Sequence, residues 1–170
     1  MIVTTVQDIA RQSKLAARQL SSTSEAQRNL ALSKMADSLE LVKAQVLDVN
    51  AKEVLKAQQN GQSAAMVKRL TIDDKVFQYM LSRLRKVAER ADPLNRVLEG
   101  HTNPAGLQVY KKSVPLGVVG IIYESRPNVT TDAAGVCIKS GNAIILRGGS
   151  EAIQTNTLLT DAMIKGAIDA

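Results

Sequence analysis

Residues 115–130 have the sequence Pro115-Leu-Gly-Val-Val-Gly-Ile-Ile-Tyr-Glu-Ser-Arg-Pro-Asn-Val-Thr130. The part through Ile122 is almost entirely apolar or glycine, which is typical of a strand buried on both faces, and a polar segment follows it. A second apolar run, Ala143-Ile-Ile-Leu146, ends in Arg147-Gly-Gly-Ser-Glu151. Two such strands predict a parallel α/β sheet, in which ligands bind outside the carboxyl ends of the strands.

Helices are predicted on either side of the second strand. From residue 115 the predicted order is strand (116–122), helix (129–139), strand (143–147) and helix (151–168). Ser150 is a candidate N-cap of the last helix, and Glu151 lies in its first turn, where a negative charge is favourable. Two strands that are apolar on both faces cannot form a stable sheet alone. We therefore expect chain beyond residue 170, or another chain, to complete the sheet.

The first ninety-two residues have helical spacing. Polar pairs with the spacing of a capping box predict four helix starts, at Thr5 with Asp8, Ser22 with Glu25, Asn50 with Glu53 and Thr71 with Asp74. Apolar residues recur every three or four positions from Leu32 to Val49 and again from Ile72 to Ala88, where Pro93 stops the last helix. This pattern predicts a helical layer that precedes the sheet.

Residues 93–114 change character, because proline and glycine punctuate them. Within this linker the segment from Gly106 to Val114 alternates apolar and polar residues, which predicts a half-exposed strand that is paired antiparallel or lies at an edge. His101 is expected in an exposed loop.

The composition excludes several classes of site. One cysteine and one histidine leave no internal disulfide, no Cys-rich or His-based metal site and no Ser/His pair. No run is long enough to span a membrane, and the N-terminus lacks the apolar core of a signal peptide, so a cytoplasmic protein is expected. The net charge of +6 raises the question of nucleic acid. The basic residues are spread over several helices and interleaved with acids, which favours solvated helix faces.

Two long blocks carry a family resemblance. They contain Glu124-Ser-Arg-Pro-Asn-Val129 and Lys139-Ser-Gly-Asn-Ala-Ile-Ile-Leu-Arg-Gly-Gly-Ser-Glu151. In these blocks and along all 170 residues, the sequence resembles the N-terminal portion of the gamma-glutamyl phosphate reductases (glutamate-5-semialdehyde dehydrogenases), which are members of the aldehyde dehydrogenase superfamily. The loop has Arg-Pro-Asn where the larger superfamily usually has Pro-Trp-Asn, which disfavours a different aldehyde dehydrogenase.

The resemblance implies NADPH-dependent reduction of gamma-glutamyl phosphate to glutamate 5-semialdehyde in proline biosynthesis. A cysteine forms a thioester with loss of phosphate, and hydride from the nicotinamide reduces it. In the family this cysteine lies in a later domain, which residues 1–170 do not contain. The expected fold is α/β, with a helical layer followed by the incomplete first half of a Rossmann-like parallel sheet of the aldehyde dehydrogenase type.

The same resemblance implies how the chain is divided. Residues 1–92 would be the helical part of the cofactor domain, residues 93–114 a linker with an edge or oligomerisation strand, and residues 115–170 the first strand-helix-strand-helix of the NADPH-binding domain. A homo-oligomer is expected at full length, with no nucleic-acid or membrane partner. Tyr110, Lys111 and Lys112 are then interface candidates, and a charged edge that blocks aggregation is the simpler alternative.

Cys137 is predicted to be a packing residue. It lies in the apolar helix segment Ala133-Ala-Gly-Val-Cys-Ile138, and an apolar environment raises the pKa of a thiol and lowers its reactivity. It also does not fall at the cysteine motif of the family.

The turn after the first strand holds the first group of candidate site residues. By similarity, the backbone of Ile122, Tyr123 and Glu124 lies along the cofactor. Asn128 is a catalytic candidate, since its amide can donate to a developing oxyanion, and Arg126 can clamp a substrate carboxylate or phosphate. Without the resemblance, the favoured interpretation is a proline-stiffened turn with Arg126 in a surface ion pair and Asn128 as a helix N-cap.

The turn after the second strand holds the remaining candidates for cofactor binding. Similarity to the superfamily assigns Arg147 to the 2′-phosphate of NADPH and Glu151 to a ribose hydroxyl. Gly148, Gly149 and Ser150 would let the backbone approach the ligand closely and expose helix amides. A plain strand-to-helix turn is the alternative for this segment.

Two other functions stay open from the residues. One is a non-catalytic fragment that binds cofactor weakly or only assembles, which an NADPH titration separates from mere folding. The other is a basic helical module for nucleic acid, whose affinity would fall steeply with salt.

Overall fold

Five helices form the first half of the chain in the computed structural model, which describes residues 5–170. They are α1 (Val6–Leu20), α2 (Glu25–Leu41), α3 (Lys43–Gln59), α4 (Ala64–Leu70) and α5 (Asp74–Ala88). The predicted helical layer is therefore present, and its residues 1–4 lie outside the described part of the chain.

The helix starts agree with the sequence only in part. The capping box of Thr5 with Asp8 opens α1 as predicted, and each side chain accepts the backbone N–H of the other residue. The prediction for the second helix was wrong by two residues, because Ser24 with Gln27 forms the capping box of α2. The N-cap of α5 is Asp73 and not Thr71.

The predicted helix start at Asn50 with Glu53 was wrong. The chain bends earlier, at Val42, and α3 continues unbroken through both residues. Asn50 is buried, and it donates to the Leu70 carbonyl at 3.0 Å and accepts from the Ile72 N–H at 2.6 Å. The polar pair has the spacing of a local helix cap, but its hydrogen bonds are to residues distant in sequence.

A hairpin occupies the segment that was predicted to be a linker. Strand β1 (Val97–Thr102) pairs antiparallel with β2 (Gln108–Lys112), and Gly106 in the turn has a φ of +81°. Antiparallel pairing of the second strand is confirmed. The first strand was not predicted, and every residue of both strands is exposed, so the expected half-burial was wrong.

The second half contains the predicted strand-helix-strand-helix unit. Strand β3 (Val118–Ile122) pairs parallel with β4 (Ala143–Arg147), and α6 (Pro127–Lys139) connects them. A 3₁₀ turn (Ser150–Ala152) leads into α7 (Ile153–Ile168). The predicted α/β class is confirmed. The start predicted for α6 at 129 was two residues late, because Pro127 with its fixed φ suits the first helical position.

One hydrophobic cluster joins the helical layer to the strand-helix unit. It contains Leu32 and Leu39 of α2, Phe77 and Leu84 of α5, and Leu159 of α7. All five side chains are essentially inaccessible to solvent, so α2 lies between α5 and α7 and carries the core.

A buried polar cluster fixes the carboxyl end of α6 against α2. Arg28 is 3% exposed, pairs with Asp92 at 2.6 Å and donates to the carbonyl of Lys139 at 3.2 Å. The Lys139 ammonium donates to Glu25, Asn29 and the carbonyl of Ala88. Buried charges are tolerated only with such partners, so this cluster holds α6 in one orientation.

Across residues 5–170, no helix is both long and apolar enough to cross a bilayer.

Candidate functional site

The carboxyl ends of β3 and β4 lie side by side and bring the two predicted cofactor-binding groups together. Ile122 is in register with Arg147, and the N–H of Tyr123 donates to the Arg147 carbonyl at 3.1 Å. The side chain of Ile122 is 79% exposed, and Arg147 is exposed with no ion pair among residues 5–170. An exposed apolar residue beside a free cation at this edge fits a ligand with an apolar ring and a phosphate.

The two turns are also tied to each other. Ser125 is buried, and its hydroxyl donates to Oε2 of Glu151 at 2.8 Å. The pKa of Glu151 is lowered by its own backbone N–H and then by Ser125, so the carboxylate stays ionised and can accept further hydrogen bonds. Glu124 points outward and forms an ion pair with Arg69 of α4 at 2.7 Å.

Both glycines of the second turn are packed against the protein itself. A Cβ on Gly148 would lie 2.4 Å from Nδ2 of Asn156, and one on Gly149 would lie 2.6 Å from Oγ of Ser125. The sequence analysis explained these glycines by the close approach of a ligand to the backbone. In the structure, side chains of the protein itself already require glycine at both positions. Ordinary Cβ contacts are longer than these distances, so a larger residue at either position would displace the turn.

A short hydrogen-bonded chain lies behind Gly148. The hydroxyls of Tyr123 and Thr130 are 2.6 Å apart, and Thr130 donates to Oδ1 of Asn156 at 3.1 Å. Burial raises the pKa of Tyr123, and the hydrogen bond with Thr130 acts in the opposite direction. Nδ2 of Asn156 is buried with no hydrogen-bond partner in the described part of the chain, which leaves one unused donor at this edge.

Ser150 does not cap the last helix, which corrects the sequence prediction. It begins the 3₁₀ turn, and Ala152 precedes α7 without any side-chain cap. Glu53 of α3 supplies the missing acceptor from a distance. Its carboxylate, 7% exposed, accepts from the N–H of Gln154 at 2.8 Å and from the N–H and hydroxyl of Thr155 at 3.2 and 2.6 Å.

Arg126 and Asn128 lie at the start of α6. Arg126 is the N-cap residue and Asn128 lies in the first turn, so the alternative of Asn128 as the N-cap was wrong. The alternative of a surface ion pair for Arg126 also fails, because none is present among residues 5–170. Both residues instead line a cavity of about 510 Å³ with residues of α4 and α5.

The sequence missed the residues on the other side of this cavity. They are Lys68, Arg69, Thr71, Lys75, Val76 and Tyr79. More than 45 positions separate them from Arg126 in the chain, and no ligand-binding motif marks them. The Arg69–Glu124 pair connects this cavity to the turn after β3.

Curated proteins of one enzyme family are similar to nearly the whole of the chain. A gamma-glutamyl phosphate reductase of Thermoanaerobacter sp. (strain X514) is 44% identical over 160 residues, which are 94% of this chain. The chain is a homologue of the gamma-glutamyl phosphate reductases. It spans 39% of the length of that relative, so the match covers one part of the reductase. No protein-family model matches the chain.

Solved reductase structures have the same fold. The gamma-glutamyl phosphate reductase of Thermotoga maritima superposes with a TM-score of 0.93 at 32% identity, over 96% of this chain and 40% of that one. The Saccharomyces cerevisiae reductase gives 0.92 at 30% identity, over 99% and 43%. Aldehyde dehydrogenases at 13–19% identity give 0.58–0.74 and show the fold alone, so the predicted aldehyde dehydrogenase type of fold is confirmed.

Cys137, the single cysteine, lacks the surroundings of a reductase nucleophile. Its side chain is 6% exposed in the last turn of α6, and burial raises the pKa of its thiol. The prediction that it packs in the interior is confirmed.

Among residues 5–170, no group of three or more His, Cys, Asp or Glu residues is arranged to hold a metal ion.

Proposed function

We propose that these residues form the nicotinamide-nucleotide-binding part of an NADPH-dependent gamma-glutamyl phosphate reductase. The observation that carries the proposal is 44% identity to a gamma-glutamyl phosphate reductase over 94% of the chain. The parallel pairing of β3 and β4, which brings their carboxyl ends together, agrees with it. The reaction is reduction of gamma-glutamyl phosphate to glutamate 5-semialdehyde in proline biosynthesis. NADPH supplies the hydride when it is bound.

The edge of β3 and β4 is the proposed cofactor site. Ile122 offers an apolar surface, and the backbone of Tyr123 and Glu124 continues it. Arg147 is proposed to bind the 2′-phosphate that distinguishes NADPH from NADH, because a guanidinium without an internal partner is available to a phosphate. Glu151 stays ionised and would accept a hydrogen bond from a ribose hydroxyl. The small residues from Gly148 to Ser150 would let the ligand approach the backbone of this turn.

Arg126 and Asn128 are proposed to contact the substrate. Both line the same cavity, and neither side chain caps α6. Arg126 would bind a carboxylate or phosphate of gamma-glutamyl phosphate, and the Asn128 amide would donate to the oxygen of the reacting carbonyl.

Domain organisation and assembly belong to the same proposal. Residues 1–92 and 115–170 are assigned to the cofactor domain, and the β1–β2 hairpin (97–112) to subunit contact in a homo-oligomer. The exposed side chains of Val97, Leu98 and Tyr110 support that use of the hairpin. A cytoplasmic location follows from the biosynthetic role.

Nucleotide titration of the 170-residue chain tests the cofactor assignment. NADPH is expected to bind more tightly than NADH, and Arg147→Ala should weaken NADPH binding about tenfold while leaving NADH unchanged. Arg11→Ala, on the exposed face of α1, is the matched control. Equal affinity for both nucleotides, or an equal effect of both variants, would contradict the role of Arg147.

A second candidate is cofactor binding without turnover by these residues alone. Burial of Cys137 favours it, since no other cysteine is present in the 170-residue sequence. Oxidation of glutamate semialdehyde with NADP⁺ should be undetectable with this chain under conditions where NADPH binds. Turnover that disappears in Cys137→Ser would overturn this candidate.

A further inference from the structure

A cluster of cations surrounds the cavity at the start of α6. Lys68 and Arg69 come from α4, Lys75 from α5, and Arg126 from the turn before α6. All four residues are exposed, and within the described part of the chain no acidic residue lines the cavity. Two consecutive helices and a turn much further along the chain thus direct positive charge to one place.

Most of this charge is not neutralised by the protein. Within residues 5–170, Arg69 alone of the four has an ion pair, with Glu124 at 2.7 Å, and both of these side chains are partly exposed, at 44% and 67%. Lys68, Lys75 and Arg126 have no carboxylate partner in that part of the chain. Like charges close together repel each other, so a bound anion would relieve this repulsion.

The remaining walls favour a small ligand that is only partly polar. Val76 and Tyr79 of α5 provide apolar surface, and Thr71 and Asn128 provide hydrogen-bonding groups. Helix α6 has neither an acidic residue in its first turn nor a side-chain cap, so its positive end also stays unneutralised. A short aliphatic chain with an anionic end matches these walls in size and polarity.

Resting on the function proposed above, we propose that Lys68 and Lys75 bind an anionic end of the acyl substrate in this cavity and determine its specificity. The recognised chemistry is a carboxylate or a phosphate on a short aliphatic chain. Glu124 acts as an internal competitor, because its ion pair occupies Arg69 when no substrate is bound.

Calorimetric titration of the 170-residue chain with L-glutamate and, separately, with inorganic phosphate tests this assignment. We expect binding of at least one anion, and a stronger response to glutamate identifies the carboxylate as the recognised group, whereas a stronger response to phosphate identifies the phosphoryl group. Lys68→Gln and Lys75→Gln should each lower the affinity about fivefold, and Lys14→Gln on α1 should leave it unchanged. Glu124→Gln should raise it, because Arg69 is released.

Several results would overturn the assignment. They are no binding of either anion, an equal loss in all three lysine variants, or displacement of bound phosphate by NADP⁺, which would assign the cavity to the cofactor. A parallel NADP⁺ titration separates the two proposals. Normal NADP⁺ binding without anion binding removes only the cavity assignment, whereas anion binding in the cavity without NADP⁺ binding removes the cofactor function.

Discussion

Helices α6 and α7 both follow a strand of the same parallel pair, yet their first turns are completed in different ways. At α7 the buried carboxylate of Glu53 reaches across from α3 and accepts three hydrogen bonds. At α6 no side chain caps the helix, and Arg126 at the N-cap position adds a cation to the positive end. Side-chain acceptors within the protein satisfy the first N–H groups of α7, whereas no side chain caps the first turn of α6.

The difference separates structure from function within one supersecondary unit. Free N–H groups at a helix start must find acceptors, either within the protein or in water and ligands. Glu53 satisfies the first turn of α7, which directly follows the segment from Arg147 to Glu151. The start of α6 faces an open cationic cavity, where an anion can supply the missing charge.

The largest expected effect is on stability at the α7 start. Glu53→Ala should lower the free energy of unfolding by about 2–4 kcal/mol, because it leaves the N–H groups of Gln154 and Thr155 without their acceptor. Urea unfolding followed by circular dichroism measures this loss. Arg126→Ala at the other helix start is the matched comparison and should change stability by less than about 0.5 kcal/mol, since no side-chain cap is lost. Equal losses in the two variants would refute the contrast.

A smaller effect is expected at the turn between β4 and α7. Gly148→Ala should cost about 1–3 kcal/mol, because the new Cβ meets Nδ2 of Asn156 at 2.4 Å and the ring of Tyr123 at 3.0 Å. Gly120→Ala in β3 is the control, since nothing lies within 4 Å of the added Cβ there. Comparison of the two urea midpoints checks the prediction, which fails if Gly120→Ala is the more destabilising change.

The smallest effect is a pH dependence at the same turn. The pKa of Glu151 is lowered in the folded chain from an ordinary value of 4.5, so its contribution to stability is present above pH 4.5 and is lost as the pH falls through the lowered pKa. Ser125→Ala removes one cause of the lowered pKa. The free energy of unfolding of this variant should therefore fall less between neutral and acid pH than that of the unaltered chain, by about 0.5 kcal/mol or less. Urea midpoints at a series of pH values from about 6 to 3 measure this difference in slope. Identical slopes for the two proteins would show that Ser125 does not influence Glu151.

The fold was predictable where the pattern is local or strongly apolar. Thr5 and Asp8 cap α1 within one turn of helix. The strands predicted at 116–122 and 143–147 are present as the parallel pair, although the first begins two residues late, at Val118. Exposed strand β1 was missed because every residue of Val97–Thr102 is exposed, so no buried face produces an alternating pattern. The pair Asn50 and Glu53 misled because the spacing of a capping box does not reveal which helix the carboxylate serves.

The candidate site divides in the same way. The sequence alone determined which residues follow the two strands, and register then placed Ile122 beside Arg147, because parallel strands end at a common edge. Only the tertiary structure placed Lys68 and Lys75 opposite Arg126, assigned Glu53 to α7 and required glycine at 148 for packing against Asn156. The physical reason is that strand and cap patterns report interactions within a few residues. Charge accumulation, distant capping and close packing depend on which surfaces the hydrophobic core brings together.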